Sequence, residues 1–462
     1  MTRPNIIYLH PADIGTYVEP YGYPVSTPNM QRIAERGVTF RNAFCTSPSC
    51  SPSRAALLTG QYPVQNGMIA LTHHACLLND YRKHMVHTLK AAGYTTLLAG
   101  HQHVHPLLSQ FDEDGREITP GEAIGFDIDQ DKDDNDADLR VRDFLHQDHP
   151  TPFFIDCGFM QTHQPFPDPT PQERPERCRP PAHLPDTPET RRETAMFLRA
   201  ANAVDTKIGY VLQALEDSGH ADDTIIVLTT DHGIDFPDMK SRTNDMGLGV
   251  MLIIAGGPFR GNKVVDGIVS QLDVFPTLCD VLGIDRPAWL EGDSLLPLAT
   301  GEREQIHDAV FGELNYHVKY RPSRTIRTKR WRYIRNWYER RPGFGRGAAA
   351  QLLDEHGCQD GDRVDPEELY DVVCDPLHRC NLATKPELAE VKNELAERLR
   401  AWMERIGDPL QSGKIDPPPF YAETFDRTRE GREAHLGRLF ERPGRYVTEW
   451  KPDPYVPRRG GR

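Results

Sequence analysis

Cys50 stands in a loop rich in proline and serine, Pro48-Ser49-Cys50-Ser51-Pro52-Ser53, four residues ahead of Arg54 and of an apolar run that ends at Gly60. A helix opening near Ser53 would set free backbone N–H groups and the positive end of its dipole beside the thiol. Arg54 would add a guanidinium fork one turn on. Such a place suits an oxyanion, and a thiolate held there is a nucleophile; a buried, inert thiol is the plainer alternative. Other polar residues follow apolar runs. NIIYLH leads to Asp13, TTLLA to Gly100-His101-Gln102-His103, FFIDCGF to Gln161-Thr162-His163, and TIIVLT to Asp231-His232-Gly233. Ligands of open α/β sheets bind beyond the carboxyl ends of the strands, so these four strands would bring two carboxylates and four imidazoles to one edge. Asp13 and Asp231 would repel each other there unless a cation lay between them, and a divalent metal is the economical answer. Oxygen ligands suit Ca2+ or Mg2+, while the nitrogen of His232 moves the preference toward Mn2+ or Zn2+. Taken singly, each residue has a structural alternative: an aspartate after a strand is more often a turn or a cap. His101, His103 and His105 alone make a loose zinc pattern.

The elements that must position these residues alternate along the first 300 residues. Apolar runs at 5–10, 95–99, 153–159, 224–229 and 250–255 read as strands. Between them, Thr27-Pro28 to Gly37, Met85 to Gly93 and Thr187-Pro188 to Gly219 read as helices with threonine, proline or glycine at their ends. The alternation predicts an α/β fold, a large, mostly parallel sheet sandwiched by helices. After about residue 305 the texture changes. The segment 324–336 alternates charged with apolar or aromatic residues, as an antiparallel strand with one wet face would, and 387–406 is an amphipathic helix behind Pro386. We therefore expect a catalytic domain over 1–305, a smaller α+β domain over 306–411, and an extended tail over 412–462 that wraps its own body or a neighbouring subunit.

Bulk properties narrow the function. With 38% hydrophobic and 26% charged residues over 462 positions, the composition fits a globular protein with ample core. No run approaches the ~18 apolar residues that cross a bilayer, and the first residues lack a signal-peptide pattern, so the cytoplasm is the expected compartment. The nine cysteines show neither a framework nor a CxxC pair, which argues against a disulfide scaffold or a zinc finger. A formal charge of −14 argues against general nucleic-acid binding. One locally basic stretch, Lys319 to Arg335 and including Arg324, is read as a solvated strand pair or as a cationic wall for an anionic substrate.

Cys50-Ser51-Pro52-Ser53-Arg54, followed by Ala-Ala-Leu-Leu-Thr-Gly, resembles the signature of the type I sulfatases, within the alkaline phosphatase superfamily. Further matching stretches follow in the family's order: Asn5–Gly15, 27–44, Gly100–His103, Thr162-His163, Asp231-His232-Gly233, 271–277 and 291–295, then 368–371 and 381–383. The wording around Gln65-Asn66-Gly67-Met68 is similar to the heparan N-sulfatase (sulfamidase) branch.

The resemblance implies an alkaline phosphatase-like fold and a cysteine oxidised to formylglycine by a dedicated generating enzyme. It implies one divalent metal, Ca2+ first and Mn2+ second, held by Asp13, Asp231, His232 and residue 50. The formylglycine hydrate would attack sulfur, with Arg54 and Lys240 stabilising charge, His163 protonating the leaving group and His103 acting as base when sulfate is expelled. Asp231 would also help to deprotonate the attacking hydroxyl. The implied substrate is a small or oligomeric sulfated carbohydrate, with His101, His74 and Arg324 in contact with it. The rim is expected from His73-His74, the 158–166 loop and the basic segment after His317.

Two departures from the family stand out. Ala12 replaces the first of two adjacent acids, removing a ligand. His101 stands where a lysine is usual, so activity is expected to fall as His101 loses its proton. A phosphonate monoester hydrolase of the same superfamily, or a binder that keeps the pocket, remain alternatives.

Overall fold

The computed structural model describes residues 3–418, apart from 75, 107, 112–115, 131–135, 150–151, 318, 340–346 and 356–362, together with the backbone of 446–450. Its central strand, β1 (Asn5–Pro11), is buried at every position, which is why its sequence runs apolar without alternation. Ile6 and Tyr8 enter the core on one side of the sheet, Ile7 and Leu9 the core on the other, as the two-residue period of an extended chain requires.

Around β1 lie β2 (Val38–Phe44), β3 (Thr95–Gly100), β4 (Ile128–Gln130), β5 (Phe153–Phe159), β6 (Thr224–Thr229), β7 (Leu252–Ala255) and β8 (Lys263–Ser270). Their order is β8-β2-β7-β6-β1-β5-β3-β4, and the short strand Gly249–Val250 pairs with β2 to make nine. The pairs β8/β2, β6/β1, β1/β5, β5/β3 and β3/β4 are parallel. β7 runs antiparallel to both its neighbours. The single strand expected at 250–255 is broken at Met251, whose N–H turns to the carbonyl of Gly15.

Helices cover both faces. α1 (Pro28–Arg36), α4 (Ala137–Leu145) and α5 (Pro188–Asp217) pack on one side; α2 (Cys50–Thr59), α3 (Met85–Ala91) and α6 (Val274–Leu282) pack on the other. α1 begins at the expected Thr27-Pro28, but the cap is long-range: Asp205 of α5 accepts from the N–H groups of Asn29 and Met30. Among the described residues no helix is long and apolar enough to cross a membrane.

A second, antiparallel sheet follows: β9 (Ala309–Tyr316), β10 (Tyr320–Thr328), β11 (Trp331–Asn336) and β12 (Glu367–Asp371), in that order. α7 (Ala389–Arg405) lies across it. Trp402 of α7 stacks on Phe311 at 5.0 Å and meets Tyr62 of the first domain edge-on at 5.0 Å.

Two expectations fail here. The segment 324–336 is a hairpin, not one strand, and it has no wet arginine face at Arg324 or Arg332: both are fully buried. Arg324 grips both carboxylate oxygens of Asp408, with Nη2 to Oδ1 at 2.9 Å, and lies 3.5 Å from Glu313. It belongs to the interior of the second domain and is withdrawn from the substrate-binding set. The tail lies, beyond 418, outside the described residues, save that the backbone of Tyr446–Trp450 pairs with Leu108–Phe111; self-association through it falls outside them too.

Candidate active site

Four strand ends and one helix start converge. Past β1 the chain turns at Asp13 in the left-handed region, φ 48°, which an aspartate tolerates better than most residues. Its N–H donates to Asp231 Oδ1 at 2.8 Å, tying the ends of β1 and β6 together. Ser53 Oγ donates to the Asp231 carbonyl at 2.6 Å, and the Gln271 amide donates to the Thr230 carbonyl at 2.6 Å, fixing that end from α2 and from the segment before α6. α2 starts at Cys50 itself, three residues earlier than expected, and all ten of its residues are buried.

The Cys50 Sγ lies 3.1 Å from His232 Nε2 and 4.0 Å from Asp13 Oδ1. His232 Nδ1 donates to the Gly233 carbonyl at 2.8 Å, which leaves the Nε2 lone pair facing the cluster. Asp13, Cys50, Asp231 and His232 each offer a ligand atom, all within 4.8 Å of one another and all buried. Two carboxylates and a bare imidazole nitrogen in one buried spot suit a divalent cation. Ala12 brings only a buried methyl group, its carbonyl accepting from the Thr162 hydroxyl at 2.5 Å. No other described His, Cys, Asp or Glu joins the four, and His101, His103 and His105 do not form a second such group among the described residues.

Two cations balance the two carboxylates. Arg54 Nη2 donates to Asp231 Oδ2 at 3.0 Å, and Lys240 Nζ donates to Asp13 Oδ2 at 2.6 Å. Burial alone would raise the Asp231 carboxyl, but Arg54, the N–H of Asp13 and Lys240 act against it, and the carboxyl is held well below the usual carboxylate range. Burial likewise disfavours the Lys240 ammonium, and Asp13 more than restores it. Cys50 is different: burial pushes its thiol well above the ordinary value, against the opposing pull of Lys240. With no cation bound, burial thus favours the neutral thiol over the thiolate at an unmodified Cys50.

Imidazoles form the wall above. His163 donates from Nδ1 to the Gln164 carbonyl at 2.6 Å and turns Nε2 toward Lys240, 3.4 Å away. Burial and then Lys240 lower its pKa. Both ring nitrogens of His103 are buried without a hydrogen-bond partner among the described residues, and the ring stacks against His73 at 6.4 Å. His74 donates to the carbonyl of His317 at 3.1 Å, and His317 Nδ1 meets Ser49 Oγ at 3.1 Å, so the second domain closes the rim through His317 rather than through Arg324. Burial, with His103 and Arg54 nearby, holds His101 well below the ordinary imidazole value. That direction favours the neutral ring and runs against the expected loss of activity on its deprotonation.

Sequence reading placed Asp13, Cys50, Arg54, His103, His163, Asp231, His232 and Lys240 in one site, and the structure gathers them. It missed Ser53 and Gln271 as props of Asp231. It also missed His10, which lies behind Arg54 with its ring against Asp156; the signal available was a polar residue inside each of two apolar strands.

Comparison with known proteins follows this geometry. The sulfatase family model matches residues 4–284. A model described as the C-terminal part of N-sulphoglucosamine sulphohydrolase matches 248–342. The chain is 30% identical to human N-sulphoglucosamine sulphohydrolase over 447 aligned residues, covering 83% of this chain and 86% of the relative. It is also 30% identical to an ulvan-active sulfatase of Formosa agariphila, covering 90% and 83%. Among solved structures, a protein in complex with its substrate D-glucosamine-2-N,6-O-disulfate superposes with a TM-score of 0.69 at 20% identity, covering 90% of this chain and 99% of that one. The phosphonate monoester hydrolase of Agrobacterium radiobacter superposes with a TM-score of 0.65 at 21% identity, covering 87% and 96%.

Proposed function

Because the chain belongs to the sulfatase family, whose members are sulfuric ester hydrolases, we propose that it removes sulfate from a sulfated carbohydrate, as an ester or a sulfamate, once Cys50 has been matured to formylglycine by a generating enzyme. The observation that carries this reading is the meeting of Cys50 with Asp13, Asp231 and His232 beneath Arg54 and Lys240. The Cys50 Sγ stands in for the side-chain oxygens of that residue's hydrated aldehyde. Such a hydrate would supply two geminal hydroxyls, one to attack sulfur and one to re-form the aldehyde as sulfate leaves. A divalent cation held by Asp13, Asp231, His232 and residue 50 would lower the pKa of the attacking hydroxyl and polarise a sulfate oxygen. Its two carboxylate ligands favour Ca2+ and its imidazole Mn2+; equilibrium dialysis against each decides between them.

The chain's own groups do the rest. Arg54 and Lys240 offer donors to the sulfate oxygens, and the N-terminus of α2 adds its free N–H groups. His163 is the group that protonates the departing oxygen or nitrogen; an anion held beside it favours the imidazolium. His103, with both ring nitrogens unengaged among the described residues, is the base for the second half-reaction. Charge selects the substrate. Two carboxylates cancel Arg54 and Lys240, so a dication and a singly charged nucleophile leave one positive charge, which matches the single negative charge of a sulfate ester or sulfamate.

A phosphonate monoester carries the same charge, and the Asp231-His232 pair favours that second reading. Sulfate release from a panel of N- and O-sulfated saccharides tests the proposal, alongside turnover of a nitrophenyl sulfate and a phenyl phosphonate ester. Higher kcat/KM on the phosphonate with no saccharide accepted overturns it.

A further inference from the structure

His10 and Asp156 are polar residues in the middle of the sheet, each only 2% exposed. Tyr8 and Asp156 are register partners across β1 and β5, so His10, two residues on and on the same face, lies diagonally opposite Asp156. Asp156 Oδ1 sits 2.5 Å from His10 Nε2, and His10 Nδ1 meets Nη1 of Arg54. A guanidinium can only donate. His10 Nδ1 is therefore the bare nitrogen, and the one ring proton lies on Nε2, donated to Asp156. Burial, the largest influence on this ring, agrees with a neutral imidazole. Tyr8 stacks on the ring at 4.4 Å, and Gly158 makes room for it, since a Cβ there would lie 2.5 Å from His10 Cε1. Arg54 is thus held at Nη1 by His10 and at Nη2 by Asp231, while its Nε–H is buried with no partner among the described residues.

We infer that His10 and Asp156 are positioning residues for Arg54. Asp156 sets the tautomer of His10, and the bare Nδ1 of His10 sets the rotation of the guanidinium, so that its remaining donors meet the substrate's oxyanion. The inference rests on the sulfatase reading for the identity of that oxyanion and on nothing else in it. Truncating an outer partner of this kind costs about ten- to hundredfold in related settings.

The test uses matured, metal-loaded protein. His10→Phe keeps the stacked ring and removes Nδ1; His10→Gln keeps an oxygen that can accept from Arg54; Asp156→Asn keeps the shape and weakens the tautomer's anchor. With nitrophenyl sulfate, His10→Phe is expected to lower kcat at least tenfold with a smaller change in KM. Asp156→Asn should fall between it and wild type, and His10→Gln should recover most of the loss. In an Arg54→Ala background, His10→Phe should cost nothing further. An undiminished cost in that background, or equal losses in the Phe and Gln variants, overturns the inference. Calorimetric binding of inorganic sulfate gives a second reading that needs no turnover: affinity should fall about tenfold in His10→Phe and little in His10→Gln. Should wild type release no sulfate from any ester, the sulfatase reading fails while this binding comparison still decides the role of His10; equal affinities, or no binding to wild type, overturn it.

Discussion

Replacing His163 by glutamine separates its two conceivable jobs. If it donates the proton to the departing group, the loss depends on how badly that group needs one. Turnover of a saccharide sulfate should fall by about a hundred- to ten-thousandfold, the usual worth of general acid catalysis, while a nitrophenyl sulfate, whose leaving group departs as a stable anion, should lose far less. Equal losses on both substrates would assign His163 to binding instead. At residue 50, the hydroxyl of Cys50→Ser can attack sulfur and become sulfated but cannot expel sulfate by re-forming an aldehyde; mass spectrometry after incubation with substrate should find a stalled adduct or no reaction, never turnover. The ligand set was legible because Asp13, Asp231 and His232 each follow an apolar run and Cys50 stands ahead of one, so that strand ends and a helix start point to one crevice. Arg324 misled for the opposite reason. A charge read in sequence carries no depth, and Asp408, which draws Arg324 inward, lies 84 residues away. His10 was overlooked because it sits within its strand, and only its parity with Tyr8 betrays the face it occupies.

The crossing of β1, β3 and β5 tolerates no extra atom at Gly158. A Cβ there would lie 1.9 Å from the His101 carbonyl oxygen as well as 2.5 Å from the His10 ring. A carbonyl cannot swing aside as a side-chain tip can. Gly158→Ala should cost about 1–3 kcal/mol in stability, the range for overfilled cores, and should lower kcat as well because His10 is displaced; denaturant unfolding and steady-state rates measure the two. The alternation of apolar runs with helices revealed the parallel strands, since a parallel neighbour demands a crossover. It did not reveal the reversal at β7. The connection from β6 to β7 contains, among its described elements, a four-residue helix, Asp245–Leu248, and the two-residue strand Gly249–Val250; neither is long enough to carry the chain back to the other end of the sheet, so β7 returns antiparallel. Direction is a property of the connection, and hydrophobicity inside the strand says nothing about it.

The two sheets are joined around buried charge. Arg324 holds Asp408 and lies near Glu313, whose carboxylate accepts from the N–H of Val64 in the first domain. Arg324→Met would leave both acids without their cation. The expected cost is about 3–5 kcal/mol, read by denaturant unfolding, with kcat unchanged in the fraction that stays folded because Arg324 is remote from the oxyanion's donors. Asp408 takes the guanidinium closely, so Glu313 is left with the longer contact, and burial pushes its carboxyl up to about 7 from 4.5. A raised native value means that the folded protein binds this proton more tightly. The associated stability is full below about pH 4.5 and is lost as pH rises through about 7. Glu313→Gln should flatten the decline in unfolding free energy across that window; an unaltered slope would place the proton elsewhere. This charge cluster was invisible in the sequence because its members come from three separated elements and only the folded chain defines their depth. A last consequence concerns the order of events in biosynthesis. The helix that begins with residue 50 is sealed along its whole length, so a second enzyme could not engulf that side chain once the fold has closed. The maturation proposed for Cys50 would therefore fall on the nascent or unfolded polypeptide. Purified protein carrying an intact thiol should resist the modifying enzyme, whereas the denatured polypeptide should yield to it, and the fraction oxidised during synthesis would cap the specific activity of every later preparation.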